Sequence, residues 1–191
     1  KMLTIDNLKA TMKKMGYVWF ENRPNIIGIR TTLLVPDKFN DLLCLVTGNE
    51  LKVYTITTEP GVTHQKKLLN AKGCAVLKPG QYIEAYAIGF HQNKPDHKAL
   101  VQVRSVTVLR DKDLDGIAGN SGTDDKGLFG INIHGANKLT KTALIGAWSA
   151  GCQVFENWKD KEDLIAKCET YRTACKNLFT YTLIEEKQLI S

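Results

Sequence analysis

Two stretches of this chain hold the residue types best suited to chemistry. They are Gly130-Ile131-Asn132-Ile133-His134-Gly135 and Trp148-Ser149-Ala150-Gly151-Cys152-Gln153-Val154. A thiol attacks a carbonyl as the thiolate, and a neighbouring imidazole supplies that form by taking the proton. The pair must be adjacent in space, not in sequence. A His at a strand end and a Cys in a small-residue turn, roughly fifteen to twenty positions later, are brought together by one hairpin. Gly151 lets the backbone turn sharply just before Cys152 and leaves room for a substrate, and backbone N–H groups there are candidates for an oxyanion hole. Ser149 is placed to hydrogen-bond the imidazole or the thiol. A lone Cys is most often an inert core residue, so composition by itself does not select the catalytic pair.

The spacing of these residues adds weight. Ile133-His134-Gly135, followed by Ser149, Gly151 and Cys152, resembles the catalytic signature of the L,D-transpeptidases (the YkuD-type fold). In that family an Ile-His-Gly element precedes a Ser/Thr-His-Gly-Cys element. The resemblance is specific over about Gly130 to Phe155. Thr57-Thr58-Glu59-Pro60-Gly61 is weakly similar to the family's Thr-Pro-x-Gly turn. The resemblance implies an enzyme that cleaves beside a D-centre in a peptidoglycan stem peptide. Cys152 would form an acyl-thioester that a second amine or water resolves. His134 would be the general base, the Gly135 carbonyl would orient its imidazole, and Ser149 and Gly151 would shape the oxyanion pocket. Trp148, Ala150 and Gln153 flank the nucleophile and are its candidate substrate contacts. Two positions depart from the family. Ala150 stands where the family has a second His, and Val154 stands where it often has Arg or Asn. Hydrolysis, another acyl acceptor or an altered stem peptide become more plausible for that reason. Two other readings stay open: a non-catalytic structural or wall-binding module with a degenerate transpeptidase fold, and a cysteine protease acting on ordinary L-peptides.

Other polar clusters are weaker signals. His91, at the end of an apolar segment beside a polar loop, is a further candidate substrate contact. Arg30 and Arg110 flank strands and are candidates to meet a substrate carboxylate in place of the missing family Arg. Asp111, Asp113 and Asp115 alternate ahead of Gly116, which is the first half of a calcium loop, but Gly122 stands where the closing Glu belongs. A cation there would be structural calcium pinning the loop that leads to His134. No cofactor is required by the chemistry.

The elements that position these residues are mostly strands. Leu3, Leu8, Met12 and Met15 predict an N-terminal helix over about 3–16, closed by Gly16, and Leu164, Ile165, Cys168, Tyr171 and Cys175 predict a C-terminal helix over about 160–178. Tyr17–Phe20, Ile26–Arg30, Leu42–Val46, Leu51–Thr58, Cys74–Leu77, Tyr82–Phe90, Ala99–Leu109, Leu128–Ile133 and Phe179–Ile184 read as strands, with a polar loop from Asp111 to Lys126. The expected fold is mainly β with a few helices (α+β): a mixed, mostly antiparallel sheet, sandwich or barrel, with flanking helices.

The chain has 191 residues, which fits a single domain over 1–191. Five cysteines, an odd number without CxxC spacing, exclude a disulfide scaffold and a zinc ribbon. The net charge is +6, which suits an anionic polymer. The basic residues are dispersed, however, so no specific nucleic-acid site is expected. No run is apolar enough for a membrane span. The first residues lack the apolar core of a signal peptide. An enzyme acting on the wall without a leader would be phage-encoded or delivered by a secretion machine.

Overall fold

A computed structural model describes residues 3–31, 39–59, 74–111, 122–136 and 151–191. The core is a closed eight-stranded barrel. Its strands are β1 (Asn25–Arg30), β2 (Asp41–Thr47), β3 (Glu50–Thr57), β5 (Gly80–Phe90), β6 (Lys98–Gln102), β9 (Ile133–Gly135), β10 (Gln153–Phe155) and β11 (Phe179–Glu185), in the order β1-β11-β5-β6-β9-β10-β3-β2. A second sheet joins β4 (Cys74–Leu77), β7 (Val106–Asp111) and β8 (Thr123–Gly127), with β7 in the centre. The predicted mainly β architecture with flanking helices is therefore the observed one. Most pairings are antiparallel, but β1 with β11 and β9 with β10 are parallel. The second of these places the candidate site.

Helix α1 (Ile5–Met15) starts where the Thr4 side chain accepts from the Asn7 N–H and ends at Gly16, whose φ of 72° is the left-handed cap. Its apolar stripe sets Leu8 and Met12 against Ile27, Ile29, Cys44, Val46 and Ile184 on the outside of the barrel. Helix α2 (Trp158–Tyr171) is capped by Asn157 and buries Leu164, Ile165 and Cys168. It is shorter than predicted. After Tyr171 the chain turns through Lys176 and Asn177, both at positive φ, and the Asn177 amide pairs with both the N–H and the carbonyl of Ile88. Cys175 is thus buried but outside the helix.

Four other expectations are corrected. Tyr17–Phe20 is not a strand: side-chain amides satisfy its backbone instead, Gln81 bonding Val18 N and O and Asn25 bonding Phe20 N and O. Ala99–Leu109 is two strands, broken at Val103–Ser105. Thr123–Gly127 is a strand within the predicted polar loop, its alternation hidden because both faces are polar. The apolar run Leu128–Asn132 is irregular, Leu128 is 65 % exposed, and the strand begins only at Ile133.

The irregular run has defined anchors. Gln102 Oε1 accepts from Phe129 N and Ile131 N, its Nε2 donates to the Gly127 carbonyl, and the Tyr86 hydroxyl donates to the Ile131 carbonyl at 2.8 Å. These bonds anchor the segment that carries the Gly130 carbonyl and the Asn132 N–H, both of which meet Cys152.

Candidate functional site

In the parallel pair of β9 and β10, Gln153 faces Ile133, Val154 faces His134 and Phe155 faces Gly135. Alternation along each strand sends Ile133, Gln153 and Phe155 into the barrel and puts Cys152, Val154, His134 and Ala136 on the opposite face. Burial agrees: Ile133 and Phe155 belong to the barrel core, and Ala136, Cys152 and Val154 form a separate apolar cluster with Phe39. The thiol and the imidazole thus lie on one face of two hydrogen-bonded strands. No tight hairpin is needed.

The thiol is held from the irregular run. Cys152 Sγ accepts from Asn132 N at 3.4 Å and donates to the Gly130 carbonyl at 3.3 Å. Gly151 reaches this position with φ of 104°, and a Cβ there would stand 2.6 Å from the Ala75 carbonyl of β4. Only glycine fits. The Gln153 N–H is committed to the Asn132 carbonyl, so it is not an oxyanion donor.

Hydrogen-bond roles fix the state of the base. A carbonyl only accepts, so the 2.9 Å contact between His134 Nδ1 and the Gly135 carbonyl places the proton on Nδ1. Nε2 then carries a lone pair. That atom is buried and has no hydrogen-bond partner among the described residues. Gly135 serves three groups at once. Its carbonyl holds His134, its N–H donates to His97 Nε2 at 3.3 Å, and its Cα face lies under Trp158, where a Cβ would stand 2.7 Å from the indole.

Around the base stands a stack of rings. His91 lies on His134 with centroids 3.7 Å apart and planes 16° apart, His97 meets His134 edge-on at 5.4 Å, and Trp158 packs on His97 at 4.5 Å. Lys161, fully buried, sits 3.8 Å over the Trp158 ring and donates to the Lys98 carbonyl. Burial first, then the nearby His91, hold the His134 pKa well below the usual imidazole value; burial brings His91 and His97 down to about 4. Burial also pushes the Cys152 thiol up to about 11, against the pull of the Asn132 N–H. Burial thus favours the neutral thiol and the neutral imidazole.

Of the sequence-predicted residues, His134 and Gly135 meet through the bond from Nδ1 to the carbonyl, and Gly151 and Cys152 lead into the neighbouring strand. Ser149, Trp148 and Ala150 lie outside the described residues, as do Asp113, Asp115, Pro60 and Gly61. Asp111 ends β7, and its side chain is likewise outside the description. Among the described residues no group of three or more His, Cys, Asp or Glu is arranged to hold a metal. Two of the candidate substrate contacts, Gln153 and His91, are buried. Gln153 faces the barrel interior, fully buried, with Oε1 accepting from the Tyr181 hydroxyl. His91 is buried under His134 and bonded to Asn132 rather than presented to a cleft. Arg30 is sunk between the Thr58 and Leu77 carbonyls, and Arg110 pairs with Asp125 against the Phe129 ring, so both guanidinium groups brace the fold. Asn132, Gln102 and His97 were not singled out by sequence. Asn132 sits inside the informative stretch and reads there as a strand residue. No protein-family model and no curated protein matches the chain.

Proposed function

We propose that this chain is a cysteine acyltransferase or peptidase that acts on peptidoglycan stem peptides through a Cys152 thioester, with His134 as general base. One observation carries the reading. Among the described residues the buried His134 Nε2 has no partner, its ring proton sits on Nδ1, and it lies on the same strand face as a thiol held by Asn132 and Gly130. An orphaned buried acceptor is costly, and a proton-accepting role is what such an atom is suited to. The wall substrate rests on the resemblance of Ile133-His134-Gly135 and Ser149-to-Cys152 to the L,D-transpeptidases.

The proposed steps are these. Substrate draws the Cys152 proton from the Gly130 carbonyl to His134 Nε2, and Sγ bonds to the scissile carbonyl carbon. The His134 cation is stabilised by its Nδ1–H on the Gly135 carbonyl. As the C–N bond breaks, the imidazolium returns its proton to the leaving amine, leaving the thioester. An amine or water then attacks that carbonyl, losing its proton to His134, which passes it back to sulfur.

A second reading has its own support. The thiol is only 7 % exposed and its pKa is raised, as in a cysteine kept for packing within a non-catalytic wall-binding module. Turnover of purified muropeptides, compared with casein, in the parent and in Cys152→Ala separates the readings. The proposal expects muropeptide products from the parent, none from Cys152→Ala and none from casein. Binding to the wall without turnover favours the module. Cleavage of casein alone favours an ordinary cysteine protease.

A further inference from the structure

We infer that His91 is a positioning residue for the nucleophile and its base, tying the strand that holds the sulfur to the ring that takes its proton. The inference rests on the cysteine-dependent reading of the site.

The network assigns itself atom by atom. The Gln102 backbone N–H can only donate, and its partner at 2.9 Å is the Asn132 side-chain oxygen. Asn132 Nδ2 must therefore be the atom facing His91 Nδ1 at 3.1 Å, and the amide donates there. His91 is thus neutral, with its own proton on Nε2. The same Asn132 supplies the backbone N–H that meets Cys152 Sγ. The His91 ring lies parallel on His134 at 3.7 Å, limiting rotation of the base about its side-chain bonds. One side chain thereby fixes both reacting groups without touching the reacting atoms.

His91 is brought to this place by its backbone. It opens the short turn after β5, its N–H donates to the His97 carbonyl, and the next two residues, Gln92 and Asn93, have φ of 53° and 57°. The groups that face His134 are His91 and His97 from this turn, Lys161 from α2 and the Gly135 carbonyl from β9. Three of these oppose a positive charge on the base: His91, His97 and Lys161. Removing His91 therefore removes one of the influences that keep Nε2 unprotonated.

The test uses two variants of the full chain and two readouts. His91→Phe keeps a ring against His134 and loses the acceptor for Asn132. His91→Asn sets an amide oxygen close to the place of Nδ1 and restores the hydrogen bond. The first readout is the pH profile of Cys152 alkylation by iodoacetamide, which needs no substrate. In His91→Phe the profile moves to higher pH, because the Asn132 N–H that steadies the thiolate has lost its brace, and His91→Asn brings it back. The second readout is turnover of muropeptides. His91→Phe loses about 10- to 100-fold in kcat at unchanged KM, the scale of a small misplacement of reacting groups, and its acid limb moves to higher pH. A His91→Phe profile and kcat equal to the parent overturn the inference, as does a raised KM with kcat kept. Failure of His91→Asn to restore the alkylation profile also overturns it. Asn132→Ala breaks the same bond from the other side, and the same alkylation shift is expected there, so the test stands if His91→Phe does not fold. An inactive parent with the alkylation shift present would sink the functional reading and leave the positioning role intact.

Discussion

At the residue scale, a neutral pair behaves differently from a preformed ion pair. The His134 pKa lies well below the ordinary value and the Cys152 thiol is pushed up to about 11. Direct alkylation of Cys152 needs the thiolate, so its rate should climb through the alkaline range and stay low near pH 7. Enzymatic turnover needs only an unprotonated His134, so kcat/KM should be flat across neutral pH and fall only on the acid side. An alkylation midpoint near pH 5 to 6, as in a stable thiolate–imidazolium pair, would contradict this. Gly135 gives a second residue-scale prediction. A methyl at that position collides with Trp158. Relieving the collision moves the carbonyl that orients the base, so Gly135→Ala should lose about 100-fold in kcat while the fold, read by circular dichroism, persists.

At the element scale, the site is made by a parallel pair of three-residue strands and an irregular run beside it. Gly151→Ala tests this arrangement. The new methyl would meet the Ala75 carbonyl of β4 and sit at φ of 104°, and strain plus overpacking should cost about 2–4 kcal/mol. Denaturant unfolding measures it; a loss below about 0.5 kcal/mol would mean that β4 gives way. This is also where sequence reading reached its limit. Ile133-His134-Gly135 and Gly151-Cys152 stood out because their residue types and spacing suit a cysteine–histidine pair. The strand bounds of the barrel were mostly legible, since apolar runs such as Leu42–Val46 and Ile26–Arg30 have few alternatives. Thr123–Gly127 was not, because a strand polar on both faces has no period to detect. Tyr17–Phe20 misled because an aromatic, β-branched run looks like a strand even when the Gln81 and Asn25 amides take the place of its ladder. The roles of Asn132, Gln102 and His91 depend on contacts between residues 30 to 41 positions apart, and no local pattern encodes those.

At the scale of the whole molecule, the stack of neutral imidazoles links stability to pH. His91 and His97 titrate near 4 in the fold, and an unfolded histidine titrates near 6.5. Between those values the unfolded chain binds protons that the folded chain does not. The stabilisation is therefore complete above about 6.5 and is lost as pH falls toward 4. Thermal unfolding should show Tm steady from pH 8 to 7 and declining below 6.5, with a shallower decline in His91→Asn. A Tm independent of pH over that range would show that the rings are solvated. Among the described residues no helix is long and apolar enough to cross a membrane. The dispersed net charge of +6 suits approach to an anionic polymer.

In the proposed reaction Cys152 carries an acyl group taken from a stem peptide. The most direct measurement is the intact mass of the protein, quenched in acid during turnover of purified muropeptides and then mapped by peptide fragmentation. The account predicts an added mass equal to the acyl part of the stem peptide, placed on Cys152, released by hydroxylamine, and absent in Cys152→Ala. An unmodified protein with unchanged muropeptides, or an adduct on any other residue, would contradict it.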